Sequence, residues 1–402
     1  MAEKKIIPVL LGGDLNAYGV AYSFYRIYGL KSAVFSRMRL GITDNSEFIE
    51  LHIHEGLDDF NIAVPLLLDF ASERADAELI LVPCADWYME MLEYARTKLC
   101  GHFYFNIPEF EIWQSVSDKA SFYKLLERFS VSYPKFVADD GISSLEAKAG
   151  KLKPPFVLKP SDSVEYWKHK FVGMKKVYFP LDLSEAQRTA ELIRSSGYSK
   201  ALILQERISG DNVTASVLTT YSNSKGRVVR AVLGDIVLEE KGNTARGNYS
   251  AIIVRQKNAF CDKLINMLNS IGYTGFANFD ILTKEGESFC LELNPRQGRS
   301  SDCLRSCGVD MSFLLMNDFS GNTVKENFSV KEALWLAVPI SIVKRYAESG
   351  ALKQEALMLY KSGRYTSVYK ISDKPKRRIV YNFLHSIKQR MNFKRYEKEV
   401  ED

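Results

Sequence analysis

Two short apolar segments, 275–280 and 291–294, constrain the fold most strongly because each carries a carboxylate within a strand-like pattern. Asp280 and Glu292 are twelve residues apart, and a hairpin of that length places them on adjacent strands, where both can face the same side. Asn294 shares the face of Glu292, and polar side chains inside a buried strand need partners. The sequence therefore predicts an antiparallel hairpin with an all-oxygen cluster that suits Mg²⁺. The alternative is a pair of solvated hairpin acids.

The first hundred residues alternate between strand-like and helix-like patterns. This alternation predicts a parallel sheet with crossover helices, which is a Rossmann-like α/β unit. Ligands of such sheets bind beyond the carboxyl ends of the strands, where Asp14 follows the first predicted strand and Asp86 follows the last. The expected strands cover residues 6–11, 32–36 and 78–82, and the expected helices cover residues 17–28 and 61–74.

The remainder of the chain predicts two α+β units and a C-terminal extension. Ser117 is the expected N-cap of a helix that ends before Pro134. After this hinge the pattern predicts strands at 156–159, 175–179 and 201–205 and a helix at 184–196, and then a strand-rich stretch over 213–293. The predicted domains are 1–116, 117–207, 208–329 and 330–402.

Lys159 closes an apolar strand just before a proline. That position suits a fixed positive charge for phosphate, and a surface lysine at a strand end explains it equally well. The polar residues 161–165 predict a loop, but they lack the glycines of a Walker phosphate loop. A second strand breaks off after Gln205 and Glu206, where backbone groups could pair with the edge of an adenine. These features indicate a nucleotide site outside the P-loop class.

In this order and spacing, the signals resemble the ATP-grasp superfamily over about residues 117–316. The resemblance implies that ATP lies between two α+β subdomains, together with one or two Mg²⁺ ions, or Mn²⁺. It implies phosphate contacts from Lys119 and Lys159, and metal ligation by Asp280, Glu292 and Asn294. The implied base and ribose contacts are Gln205, Glu206, Ile208, Asp211 and Asn212, with Asp211 as the alternative to Asn212 at the ribose.

A closer resemblance, carried by residues 9–19, 83–88 and 294–301, is to D-aspartate ligases and related carboxylate–amine ligases of bacterial cell-wall synthesis. It implies an ADP-forming enzyme that activates the side-chain carboxylate of D-aspartate as an acyl phosphate. The implied acceptor is the lysine amine of a peptidoglycan precursor. The expected catalytic residues are Arg296, Arg299 and Arg246, and the candidate substrate contacts are Asp14, Asn16, Asp86, Ser300 and Ser301.

Two other functions fit the same residues. The first is an ATP-grasp ligase for another amino acid, which would make a dipeptide or a peptide natural product. The second is a nucleotide-binding regulatory protein on a membrane surface. Turnover that depends on an amine distinguishes the enzymes from the regulator.

Composition narrows the setting of the protein. The net charge of +5 over 402 residues is small, and charge alone does not separate a nucleic-acid binder from an enzyme for anionic small molecules. Our expectation for the partners includes no nucleic acid. Six cysteines without a CxxC pair favour a reducing compartment, and no apolar run reaches the roughly 18 residues that span a bilayer. These features predict a cytoplasmic protein, whose oligomeric state is left open.

Residues 374–398 differ from the rest because they contain nine Lys or Arg and one acid, interleaved with apolar residues at three- and four-residue spacing. This pattern predicts a basic amphipathic helix. The helix either docks on the body with a solvated basic face or contacts a membrane surface or a partner.

Overall fold

The computed structural model describes residues 4–141, 145–210, 212–240 and 247–401. Its N-terminal unit is a parallel sheet with flanking helices, as predicted. The elements are β1 (Lys5–Leu11), α1 (Leu15–Tyr28), β2 (Ser32–Ser36), β3 (Ile49–Ile53), α2 (Phe60–Ser72), β4 (Ala77–Pro83), α3 (Asp86–Tyr94), α4 (Arg96–Leu99) and α5 (Phe110–Ser117). The strand order is β3-β2-β1-β4. The sequence prediction missed β3 because Glu50 and His52 interrupt its apolar pattern.

The carboxyl ends of β1 and β4 form one edge of this sheet, since Leu11 pairs with Pro83 in parallel register. Asp14 is the N-cap of α1, where its carboxylate accepts hydrogen bonds from the backbone N–H groups of Asn16 and Ala17. Asp86 is the first residue of α3. Both acids therefore lie at the edge where α/β sheets bind ligands.

The second unit is a small antiparallel sheet in the order β5-β7-β6. Its elements are α6 (Lys119–Arg128), β5 (Phe136–Asp139), α7 (Leu145–Ala149), β6 (Phe156–Pro160), α8 (Ser163–Lys168), α9 (Leu183–Ser195) and β7 (Leu202–Glu206). Three local predictions were wrong. Asp118, and not Ser117, caps α6. Residues 175–179 form only a single bridge, from Tyr178 to Leu158. The expected loop at 161–165 runs into α8, because Asp162 accepts a hydrogen bond from the N–H of Glu165 and starts a helix.

The third unit is a seven-stranded sheet in the order β12-β11-β8-β9-β10-β13-β14. Its elements are β8 (Thr214–Ser222), β9 (Val228–Glu239), β10 (Tyr249–Arg255), α10 (Ala259–Ile271), β11 (Gly275–Lys284), β12 (Glu287–Asn294), a 3₁₀ helix (Arg299–Cys307), α11 (Met311–Phe319), β13 (Ala333–Leu336) and β14 (Tyr365–Ser367). The last two strands come from the predicted C-terminal extension, so that stretch contributes to the sheet.

Three helices complete the chain: α12 (Ile340–Tyr346), α13 (Ala351–Lys361) and α14 (Lys376–Glu401). A short 3₁₀ segment, Val368–Lys370, precedes α14. Among the residues that the structure describes, no helix combines the length and the apolar character that a bilayer crossing needs. The helix predicted from the basic pattern is present as α14.

Candidate active site

The hairpin of β11 and β12 places Asp280 directly opposite Glu292. Its turn residues Glu285 and Gly286 have φ values of 52° and 83°, which is the left-handed pair that a tight two-residue hairpin requires. The register shifts by one residue between Asp280 and Ile281. Such a bulge redirects side chains locally. The two acids therefore meet as the sequence predicted, on one face of the sheet.

Asp280 accepts hydrogen bonds from two polar side chains, but these neutral groups do not balance its negative charge. Its carboxylate accepts hydrogen bonds from the Tyr249 hydroxyl at 2.9 Å and from Nδ2 of Asn294 at 3.4 Å. Burial and the neighbouring negative charge of Glu292 raise the pKa of Asp280. A cation between the two carboxylates would relieve this repulsion.

Lysine side chains supply the opposite charge. Burial acts to raise the pKa of Glu292, but the charges of Lys119, Lys176 and Lys159 outweigh it and lower the pKa. Lys119 Nζ lies 3.7 Å from a carboxylate oxygen of Glu292 and 3.4 Å from Oγ of Ser163. Three lysines therefore surround the pair of acids. Lys176 could not be singled out from the sequence, because a pair of lysines at the start of an apolar run carries no pattern that marks a site residue.

Lys159 lies beside this group of acids and lysines, and only 7% of its surface is exposed. Its ammonium group donates a hydrogen bond to the Tyr123 hydroxyl at 3.2 Å and lies 3.5 Å from the carbonyl of Leu291. Burial lowers the pKa of Lys159 to about 8. A lysine desolvated in this way gains from a nearby anion, which is what a phosphate would supply.

The donor set at the hairpin fits Mg²⁺. Asp280, Glu292 and Asn294 offer carboxylate and amide oxygens, which are the ligands that hard cations prefer. Within the described ranges there is no group of three or more His, Cys, Asp or Glu side chains that could enclose a metal. A cation at this pair would keep open positions for water and phosphate oxygens.

The predicted adenine hinge lies at the end of β7. The side chain of Gln205 is buried, and its Oε1 accepts a hydrogen bond from the Tyr123 hydroxyl at 3.0 Å. Gln205 therefore helps to position the tyrosine that contacts Lys159. Glu206 accepts a hydrogen bond from the backbone N–H of Lys153 at 3.0 Å. Ile208 follows in the loop after β7, and Asn212 adopts a left-handed φ of 67°. Asp211 lies outside the described residues.

At one end of the site, which we call the mouth, the N-terminal unit contacts the loop after β12. Arg296 donates two hydrogen bonds to Asp86, both at 2.7 Å. This is a bidentate pair. Asp14 is solvent-accessible at the rim, yet the surrounding protein raises the pKa of its carboxyl by desolvation, against the lowering effects of the Ala17 N–H and of Arg296 and Arg299. Two predicted substrate contacts and one predicted catalytic residue thus come together here.

Asn16 and Gln297 join the two sides of the mouth. The amide of Asn16 donates to the carbonyls of Cys84 at 2.9 Å and Gln297 at 3.2 Å. Gln297 Nε2 in turn donates to the carbonyl of Pro83 at 2.7 Å. Both side chains are buried, so Asn16 holds the edge of the N-terminal sheet against the loop and does not face open space.

The remaining predicted residues lie along the start of the 3₁₀ helix. Arg299 pairs with Glu240 at 2.7 Å and lies 3.3 Å from Oγ of Ser250. Ser301 is fully buried, accepting a hydrogen bond from the N–H of Gly298 at 2.9 Å. Ser300 is 9% exposed. Arg246 lies outside the described residues. Besides Lys176, sequence reasoning missed Tyr123, Tyr249, Glu240 and Gln297, because their roles depend on contacts between distant segments.

Two comparisons match the sequence of this chain to known proteins. Residues 116–300 match the family model described as an ATP-grasp domain. Over 387 residues the chain is 30% identical to the D-aspartate ligase of Enterococcus faecium (strain Aus0004), and the match covers 92% of each protein.

Solved structures support the same fold. The L-amino acid ligase from Bacillus licheniformis has a TM-score of 0.60 at 16% identity, covering 84% of this chain and 81% of that one. The biotin carboxylase domain of the Hydrogenobacter thermophilus 2-oxoglutarate carboxylase, in complex with MgADP, ADP and bicarbonate, has a TM-score of 0.62 at 17% identity, covering 81% and 73%. Taken with the sequence match over nearly the whole chain, these findings show that the chain belongs to the ATP-grasp superfamily of ATP-dependent ligases.

Proposed function

We propose that this protein joins a carboxylate to an amine through an acyl phosphate, with D-aspartate as the donor. The activated group is the side-chain carboxylate, and the acceptor is the lysine amine of a peptidoglycan precursor. The donor assignment is supported by the 30% identity to a D-aspartate ligase over 92% of both chains. The reaction type is supported by one observation above others, the opposed carboxylates of Asp280 and Glu292 surrounded by lysines.

The nucleotide phosphates bind beside the cluster in which Lys159 and Lys119 contact the hairpin. Asp280, Glu292 and Asn294 would hold Mg²⁺, which when bound neutralises charge on the phosphate oxygens. Lys159 and Lys119 bear positive charge where the transferring phosphoryl group becomes most negative. The observed environment supports this role, since Lys159 is buried with a depressed pKa and a bound anion would restore its charge.

The chemistry needs no covalent help from the protein. An oxygen of the donor carboxylate attacks the γ-phosphorus in line, the bond to ADP breaks, and an acyl phosphate forms. The neutral amine then attacks the acyl carbon, loses a proton, and inorganic phosphate leaves. Arg296 and Arg299 orient the donor and stabilise its oxyanion. Positioning of two bound reactants can contribute about 7–11 kcal/mol to such a step.

An ADP-release screen over D- and L-amino acids, with mass analysis of the products, tests the proposal. We expect release only when D-aspartate and a lysine-containing precursor are both present, with a product heavier than the precursor by one aspartyl residue. Release with a different amino acid would replace the donor and leave the reaction type intact. ATP binding without amine-dependent turnover under any combination would overturn the ligase function and favour the regulatory alternative.

A further inference from the structure

The C-terminal helix α14 is fixed to the body by its inner face. Arg378 is fully buried, with Nε 3.0 Å from Asp373 and Nη1 donating to the carbonyl of Gly41 at 2.6 Å. Near the other end, Phe393 and Tyr396 are buried in a cluster with α12 and α13. The helix is therefore anchored to the N-terminal unit at its start and to the third unit further along.

The outer face of the same helix carries a continuous apolar stripe. Six of the eighteen exposed large apolar side chains found among the described residues fall within thirteen consecutive positions of α14. At 100° per residue these six span an arc of about 140° on the side away from Arg378. The stripe consists of Ile379 (65% exposed), Val380 (57%), Phe383 (65%), Leu384 (58%), Ile387 (38%) and Met391 (66%). Apolar surface concentrated in this way indicates a contact with a partner.

The charges beside the stripe indicate the kind of partner. At helical spacing, exposed Lys388 lies about 40° beyond one edge of the stripe, and exposed Arg390 lies about 20° inside the opposite edge. Exposed Lys376 and Arg377 precede it, and no acidic residue occurs between positions 374 and 396. Two copies of this helix packed stripe to stripe would bring these cations together, which is unfavourable. A negatively charged lipid surface complements both the cations and the apolar side chains.

We propose that the outer face of α14 lies on an anionic lipid surface, with the helix axis parallel to the membrane plane. The apolar stripe enters the boundary between headgroups and acyl chains, and the flanking lysine and arginine side chains contact the anionic headgroups. Because α14 is already folded against the body, binding orders no new segment. Six side chains form a small contact, so attachment is reversible and depends on the charges as well as on the stripe.

Co-sedimentation of the full chain with vesicles tests this surface. We use vesicles of phosphatidylcholine with 30 mol% phosphatidylglycerol, and vesicles of phosphatidylcholine alone. We expect partitioning onto the anionic vesicles, at least about 10-fold weaker partitioning onto the neutral ones, and release as NaCl rises to about 0.5 M.

Two variants separate the contributions of the stripe and its edges. Phe383→Ser with Met391→Ser removes two of the most exposed apolar side chains. Lys388→Glu with Arg390→Glu replaces two positive charges by negative ones. Each should weaken partitioning onto anionic vesicles by at least about 10-fold. The matched control for the stripe is Met358→Ser with Leu181→Ser, whose targets are 62% and 71% exposed elsewhere, and it should bind as the unmodified chain does.

Three results would overturn the proposal. The first is equal partitioning onto neutral and anionic vesicles, and the second is unchanged binding by both α14 variants. The third is a dimer, seen by sedimentation equilibrium, that the Phe383→Ser and Met391→Ser changes dissociate while vesicle binding is absent. Unchanged ADP release by the variants shows that they are folded. The vesicle readout does not depend on which amino acid the enzyme uses.

Discussion

The two ends of the site, the cluster around Asp280 and the mouth around Arg296, differ in how far neighbouring groups already balance their charges. At the nucleotide end, burial and like charge raise the pKa of Asp280, and burial lowers the pKa of Lys159 to about 8. At the mouth, desolvation also raises the pKa of Asp14, but Arg296 and Asp86 already form a bidentate pair at 2.7 Å, and both amide hydrogens of Asn16 are bound.

We infer from this difference that the two ends control different kinetic properties of the enzyme. Groups held in an unfavourable electrostatic state gain most when a ligand of opposite charge arrives, so we expect the nucleotide end to govern the rate. The mouth is closed by bonds between distant segments, and a substrate there exchanges one set of hydrogen bonds for another. We therefore expect the mouth to govern affinity for the donor and acceptor.

The largest effect should come from the hairpin. Glu292→Gln keeps the shape of the side chain and removes its charge, so the rate of ADP release should fall about 10³-fold. Steady-state assays at saturating Mg²⁺ and ATP measure it. Glu287→Gln, exposed on the same strand, is the control and should be near normal. A Glu292→Gln enzyme with more than about a tenth of normal activity would contradict the assignment.

A second, smaller loss is expected at the buried lysine. Lys159→Ala removes the charge that we propose contacts the phosphates, so kcat/KM for ATP should fall about 10²-fold. Lys153→Ala, an exposed lysine shortly before the same strand, should behave normally. Equal kinetics in the two variants would remove Lys159 from the nucleotide end.

The mouth should respond differently. Arg296→Lys breaks the bidentate geometry while keeping the charge, so kcat/KM for the donor should fall about 30-fold with little change in KM for ATP. Arg305→Lys is a matched control, because Arg305 makes a similar two-bond contact with Asp302 at 3.0 and 2.7 Å. A parallel rise in KM for ATP in Arg296→Lys would break the distinction between the two ends.

The smallest expected effect is the dependence of kcat/KM for ATP on pH. In the proposed mechanism the protonated form of Lys159 binds phosphate, and this form is present below a pKa of about 8 and lost above it. The value of kcat/KM for ATP should therefore fall about tenfold between pH 7 and pH 9. Lys159→Arg should move this descending limb to higher pH. A flat profile for the unmodified enzyme over this range would show that the state of Lys159 does not limit ATP capture.

Sequence reasoning succeeded where one segment carries its own pattern. The alternation in 275–294 predicted β11, β12 and the meeting of Asp280 with Glu292, since strand period and hairpin length determine which side chains face each other. It could not find Lys176, whose place depends on how the small sheet folds over the large one. It also misjudged residues 161–165, because one capping contact from Asp162 converted an expected loop into helix.

At the mouth, too, the sequence could not predict contacts between distant segments. Asn16 was expected to face a substrate, but its amide bonds to the carbonyls of Cys84 and Gln297, which lie 68 and 281 residues away. Such contacts follow from the packing of domains and leave no local pattern. The sequence pattern of one hairpin therefore predicted the cluster of Asp280 and Glu292, whereas the contacts at the mouth are visible only in the folded chain.

The most direct test of the account follows one oxygen atom. D-aspartate labelled with ¹⁸O in its side-chain carboxylate is supplied with ATP and the acceptor, and the released phosphate is analysed by mass spectrometry. If the carboxylate attacks the γ-phosphorus, each phosphate carries one ¹⁸O from the donor. Unlabelled phosphate accompanying product formation would contradict the acyl phosphate, and with it the role given to Asp280, Glu292 and the lysines around them.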